Sequence, residues 1–320
     1  MPSNPSATVV RLHPTDGFDW STLRSYLASR AIPGLEHVEE TRYTRCVIVH
    51  GQPVLIELHF THADGLALVV HDTRRERVEA IASLARRALS LDASDNGDEA
   101  RQLLGNDTYL APLVAARPAL RVPGTWDGFE TGVRAIVGQQ VSVSGATTIT
   151  SRIVHRHGAA LGPNESNGTA IATITRCFPR PETLGDGDLA GLGLTHARMA
   201  TIRGFAHAVA DGAVRLDTHL PLDEFVSSIT ERPGLGPWTA HYLAIRLGYR
   251  DAFPAGDLAL RRAIDPSNPP SMPELARRAE QWRPWRALAA AHLWTADAQR
   301  ATEVRPRGHE PTGPREPRPA

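Results

Sequence analysis

Hydrophobic and polar positions follow two different rhythms along this chain, and the change between them divides it. Through the first hundred or so residues the spacing is mostly two. Val38 to His50, Val54 to Phe60 and Leu66 to His71 are aliphatic and β-branched runs, separated by His50-Gly51-Gln52-Pro53 and His62-Ala63-Asp64-Gly65. Period-two runs broken by Gly, Pro and Asp predict an antiparallel meander. Two helices flank it. One begins at Asp19 and ends near Arg30; the other, Arg74 to Leu91, gathers Val78, Ile81, Ala82, Leu84, Ala85 and Leu89 on one side. From Trp126 onward the strand rhythm stops. Phe129, Val133, Ile136 and Val137 keep helical spacing, Ala146 to His157, Leu189 to Leu194 and Met199 to Ala210 continue it, and Leu275 to Trp285 and Ala287 to Ala298 close the fold.

The fold class read from this is α+β, with four regions. Residues 1–15 are expected to be disordered, 16–120 to form a small N-terminal antiparallel α+β domain, and 121–300 to form a mostly helical body. Residues 301–320, rich in Pro, Arg and Glu, cannot bury a core and are expected to be a disordered tail.

Composition narrows the function. No apolar run approaches the roughly 18 residues of a membrane span, and the N-terminus lacks a charged-then-apolar signal pattern; a cytoplasmic protein with no membrane partner is expected. The chain carries 35 basic and 35 acidic residues, so it has no basic coat, and any nucleic-acid contact must be local. Every one of the 35 basic residues is arginine. A side-chain Schiff base requires a lysine amine, so that mechanism is closed. The two cysteines, Cys46 and Cys177, are too few for a four-cysteine cluster and sit in no zinc-type pair. They are expected to be free, partly buried thiols in a reducing compartment.

The densest local signal is Arg232-Pro233-Gly234-Leu235-Gly236-Pro237-Trp238-Thr239-Ala240. Two glycines flank a leucine that can enter a core, while the backbone around it turns sharply and stays bare. Leu222 to Ile229 before it and Trp238 to about Gly248 after it have helical character. The unit is helix, tight hairpin, helix. Unpartnered amides at the start of the second helix attract phosphate. Such a module grips a nucleic-acid backbone without reading bases, although Pro-Gly and Gly-Pro also mark ordinary turns. Asp257 follows at the N-terminus of a further short helix, Leu258 to Ile264, a place that suits either a plain N-cap or a functional carboxylate.

Three stretches together resemble a known family: Gly128 to Ser142 (GFETGVRAIVGQQVS), the hairpin Pro233 to Ala240, and Phe253 to Arg262 (FPAGDLALRR). They are similar, in order, to the DNA-3-methyladenine glycosylase II family, the alkylated-base-excising branch of the helix-hairpin-helix DNA glycosylases. The likeness runs from about Phe18 to Trp294 and includes the N-terminal α+β layer. It implies a helix-hairpin-helix glycosylase body, damaged double-stranded DNA as the partner, a monomer associated with nucleoid DNA, and Asp257 as the catalytic residue. Breaking an N-glycosidic bond builds positive charge on the sugar, and a fixed carboxylate answers that charge. The resemblance also implies a base pocket at Trp238, Trp294, Tyr242, Tyr26 and Leu258. Tyr26 and Tyr242 suit core or pocket equally. DNA contacts are implied at Gly234, Gly236, Thr239, Gln139 and Gln140. No cofactor is required on this reading, and the carbonyls of Thr230, Arg232 and Leu235 are implied to hold a structural monovalent cation such as sodium.

Two positions depart from the family. Gln140 stands where an aliphatic wedge is usual, and Leu258 where a pocket tyrosine is usual, which puts substrate range in doubt. Trp238 occupies the place of the lysine that lets some relatives cut the strand, which implies a monofunctional, hydrolytic enzyme acting on 3-methyladenine and 7-methylguanine in flipped nucleotides. The competing readings are a glycosylase for another damaged base, oxidised guanine among them, and a non-catalytic lesion-binding protein on the same fold. Asp257 argues against the last, because a carboxylate beside phosphates would weaken simple binding.

Overall fold

The computed structural model describes residues 7–14, 18–61, 65–91, 97–161 and 173–304. Five antiparallel strands form one sheet in the order β1-β5-β4-β3-β2: β1 Thr8–Leu12, β2 Glu36–Val38, β3 Arg42–Val49, β4 Gln52–Thr61 and β5 Gly65–Val70. The expected meander is β3-β4-β5, with Cys46 opposite Leu55 and Leu58 opposite Leu68. Residues 8–12 correct the expectation of a disordered start. They form an edge strand with Thr8 paired to Val70 and Leu12 to Leu66, and Leu12 is fully buried while Val9 faces out. Five alternating residues are too short a run to stand out in the sequence, and the free edge of β5 supplies the missing partner groups. Residues 1–6 and 15 of that expected segment, and residues 62–64 where a turn was expected, lie outside the described residues.

Helix α1 (Trp20–Ala28) is capped by Asp19, and α2 (Arg75–Ala88) lays Val78, Ile81 and Ala85 on the sheet. The opposite sheet face is also covered. Cys46 of β3 and Leu55 of β4 belong to the core of the helical body. A buried ionic cluster joins the two layers. Arg45 of β3 reaches Glu130 at 2.7 Å and Glu36 at 3.1 Å, Arg134 reaches the same two carboxylates at 2.5 Å each, and the Tyr43 hydroxyl donates to Glu36 at 2.6 Å. Two charges of each sign, mutually hydrogen-bonded, meet the condition under which buried ions are tolerated.

The connecting helices α3 (Asp98–Gly105) and α4 (Leu110–Ala116) were not legible beforehand. Pro112 reads as a breaker, yet it sits in the first turn of α4, where its missing N–H costs nothing. The body proper holds α5 (Gly128–Gly138), α6 (Val143–His157), α7 (Pro181–Gly185), α8 (His196–Ala210), α9 (Leu222–Thr230), α10 (Pro237–Leu247), α11 (Leu258–Ile264), α12 (Met272–Ala279) and α13 (Arg286–Val304). Leu189 to Leu194 is a turn rather than the expected helix. Leu189 and Leu192 are buried, but Gly191 and Gly193 take φ of 73° and 93°, which an α-helix does not admit. Helix α13 runs to Val304, past the expected start of the tail at 301; the rest of that tail lies outside the described residues.

The cysteines are not free. Cys46 and Cys177 form a disulfide, with Cα atoms 5.2 Å apart and a sequence separation of 131. The segment ending at Cys177 is brought under β3 because Thr175 and Arg176 donate their amides to Gly34 O at 2.8 and 3.0 Å. That tertiary pairing leaves no trace in linear spacing, and the Cα separation falls in the range a disulfide spans.

Candidate active site

Helices α9 and α10 meet at the hairpin, and the two glycines there do different things. Gly234 has φ +82°, and a Cβ on it would collide with the Thr201 hydroxyl of α8. Gly236 is extended (φ −98°), caps α10 and faces open space where a Cβ would stand. Pro237 takes the first helical position, where its lost N–H is no loss. Leu235 is buried, as its flanking glycines predicted. Among the described residues the amides of Gly234, Gly236, Trp238 and Thr239 find no acceptor, which is the donor set a phosphate needs.

The loop after α5 is tied to this hairpin. Gln139 Nε2 donates to Gly234 O and to Thr239 Oγ1, both at 3.2 Å, and Arg198 of α8 donates to the Gln139 carbonyl. Gln140, at the tip, is exposed and held at φ +58°, an uncommon conformation for a side chain of its size. Sequence reading paired Gln139 and Gln140 as DNA contacts. The structure separates them: one side chain is committed internally, and the other projects.

Asp257 caps α11. Its Oδ1 accepts the amides of Ala259 and Leu260 at 2.8 and 3.1 Å, and its Oδ2 accepts Trp238 Nε1 at 2.7 Å. The carboxylate is half-buried. The chain reaches it through a turn closed by Asp257 N to Pro254 O at 2.8 Å, and Phe253 N donates to His241 Nδ1 at 3.3 Å. Burial, with Arg286 nearby, lowers the His241 pKa, which keeps that nitrogen an acceptor. Arg261 and Arg262 prove to be ties. Arg261 donates to Pro270 O, and Arg262 pairs with Asp297 of α13 at 2.8 Å.

The four aromatics assigned to the pocket do converge. Trp238 and Tyr242 stack with centroids 5.3 Å apart and planes 13° from parallel, and Tyr242 meets Trp294 edge-on at 6.0 Å. Tyr26 arrives from α1 of the N-terminal layer. Sequence reading missed the group they surround, the Arg246 guanidinium, whose carbon lies 4.9 Å from the Tyr26 ring centre, 5.0 Å from Tyr242 and 5.4 Å from Trp294. The signal was present, since Trp238, Tyr242 and Arg246 are spaced by four and share one face of α10. Burial raises the Tyr26 pKa. Burial pushes Tyr242 the same way, but Arg246 and Arg30 outweigh it and its pKa is lowered. Leu258 is 52% exposed beside Asp257, an apolar side chain that nothing of this chain covers fully.

Residues 9–127 match the AlkA N-terminal domain, ending at the Asp127 cap of α5. A DNA-3-methyladenine glycosylase 2 of Escherichia coli K12 is 30% identical over 294 residues, which take in 90% of this chain and 97% of that protein. The chain belongs to the DNA-3-methyladenine glycosylase 2 family. A second member-like relative, the probable bifunctional transcriptional activator/DNA repair enzyme AlkA of Mycobacterium tuberculosis H37Rv, is 34% identical over 288 residues. The match covers 89% of this chain and 56% of that protein, so the chain spans about half the relative's length. In fold, the 3-methyladenine DNA-glycosylase of Archaeoglobus fulgidus is similar with a TM-score of 0.75 at 20% identity, over 91% of this chain and 98% of that one. The family's N-terminal layer here delivers Tyr26 to the aromatic group and, through Glu36 and Arg45, anchors α5.

Proposed function

We propose that the protein is a monofunctional DNA glycosylase that releases alkylated purines, 3-methyladenine and 7-methylguanine, from flipped nucleotides in duplex DNA. The observation that carries this reading is the fixed Asp257 carboxylate beside a stacked aromatic pair and behind a hairpin of bare amides. Hairpin amides take the phosphates, and Gln140 stands where it can fill the gap a flipped base leaves. As the C1′–N bond breaks, the bonding pair leaves with the base and the sugar becomes cationic. Asp257 stabilises that charge and orients the water, whose oxygen bonds to C1′ and whose proton is released. A methylated ring nitrogen makes the base a good leaving group, so no strong general acid is needed.

Among the described residues no helix is long and apolar enough to cross a membrane; the reading places the protein as a monomer on nucleoid DNA in the cytoplasm. A monovalent cation would sit at the hairpin. Among the described residues the carbonyls of Thr230 and Leu235 meet no backbone donor, while that of Arg232 accepts the Leu235 amide at 3.1 Å and keeps a second lone pair. Purified protein incubated with methylated duplex should release free 3-methyladenine and 7-methylguanine, measured by chromatography. Tight binding to the same duplex with no base released would favour the lesion-binding alternative.

A further inference from the structure

Tyr242 is layered along α10 between two neighbours. Trp238, four residues before it, stacks on the ring, and Arg246, four residues after, lies over it. Side chains at i−4 and i+4 project on opposite sides of position i along a helix face, so Trp238 and Arg246 cover different faces of Tyr242. Arg246 lies over Tyr26 and Trp294 as well. Three rings thus surround one guanidinium of the chain itself. Arg246 is only 5% exposed. Its Nη1 donates to Pro123 O at 2.8 Å, its Nε is buried without a hydrogen-bond partner, and no carboxylate pairs with it among the described residues. A buried cation lacking a counter-ion is costly; besides Pro123 O, a hydrogen bond with the Tyr242 side chain and the surrounding ring faces answer it. Arg30, just past the end of α1 and 4.3 Å from the Tyr26 ring centre, adds a second positive charge.

Rings of this kind are what would draw a positively charged base. We propose that Arg246 is a specificity-determining residue of the base pocket: it fills the cage of Tyr26, Tyr242 and Trp294 with the chain's own cation and so cancels the advantage those rings would give a cationic lesion base over a neutral one. The proposal rests on the glycosylase reading above. Attraction for a cationic base then falls to Trp238 and to the Asp257 carboxylate it holds, and the pocket accepts neutral lesion bases of the same shape.

The test compares single-turnover release from duplexes carrying 7-methylguanine, which is cationic, and hypoxanthine, which is neutral. Arg246→Met should raise the ratio of cationic to neutral release about tenfold, and Arg246→Lys, which keeps the charge, should leave the ratio near that of the unmodified protein. Equal loss on both substrates with an unchanged ratio would overturn the proposal and reduce Arg246 to a structural part. Should Arg246→Met fail to fold, inhibition of the unmodified protein decides the matter. The permanently cationic 7,9-dimethyladeninium should inhibit no more than about threefold better than neutral 9-methyladenine, and a preference above tenfold for the cation would overturn the proposal. Absence of release from both duplexes would overturn the underlying glycosylase reading instead.

Discussion

The Trp238 indole nitrogen donates to Asp257 Oδ2 at 2.7 Å, joining the first turn of α10 to the cap of α11 across nineteen residues. One residue thereby stacks on Tyr242 and holds the carboxylate in place. Trp238→Phe keeps a ring for stacking but removes the donor. A hydrogen bond to a charged group contributes about 1.5–3 kcal/mol, so kcat should fall about tenfold or more while KM changes little. A rise in KM with kcat intact would mean the indole only stacks on the base.

The two hairpin glycines should fail differently. Gly234→Ala forces a Cβ into Thr201 at φ +82° and should destabilise the fold by about 1–3 kcal/mol, seen as a lower Tm. Gly236→Ala meets nothing in the free protein, so Tm should hold. Gly236→Glu should in addition weaken binding to every DNA sequence about equally. Loss confined to particular sequences would mean that the hairpin reads bases.

The absence of lysine makes the product predictable. With no lysine in the chain, and Trp238 where the resemblance puts the lysine of strand-cutting relatives, alkylated duplex should run as full-length DNA after incubation until alkali is added, and borohydride should trap no adduct. A borohydride-stable complex that requires active protein would contradict hydrolysis by water.

Acid should weaken the junction between the sheet and the helical body. Burial alone would raise the Glu36 pKa, but Arg134, Arg45 and the Tyr43 hydroxyl outweigh it and hold the carboxyl at about 2, below its ordinary 4.5. A carboxyl depressed on folding stabilises the native state above its unfolded pKa, and that contribution is lost as pH falls from about 4.5 through 2. Glu36→Gln should cost about 3–5 kcal/mol at neutral pH, because it leaves buried arginines short of a partner. Its stability should also vary less with pH over that window. Denaturant midpoints measured between pH 7 and 2 check both statements.

Much of this was legible from the residues. The meander was visible because aliphatic and β-branched runs are broken by Gly, Pro and Asp at the turns, and the hairpin because two glycines flank a single leucine ahead of a helix. Asp257 was legible through the motif around it rather than through its own position, which any N-cap aspartate shares. What escaped was tertiary. The Cys46–Cys177 bond depends on Gly34 accepting two amides from a distant segment. β1 depends on an edge that only the folded sheet presents. Arg246 looks like an ordinary basic residue in the last turn of a helix until Tyr26, from a separate layer, and Trp294 close around it.

Asp257→Asn tests the account most directly. Asparagine is as good an N-cap as aspartate and its oxygen can still accept from the Ala259 and Leu260 amides, so fold and affinity for alkylated duplex should hold. Loss of one preorganised electrostatic group costs on the order of 100-fold or more in rate. Single-turnover release of 7-methylguanine by this variant should fall by at least that factor at unchanged Kd. Release within a few-fold of the unmodified protein would contradict the assignment of Asp257 and, with it, the mechanism built around it.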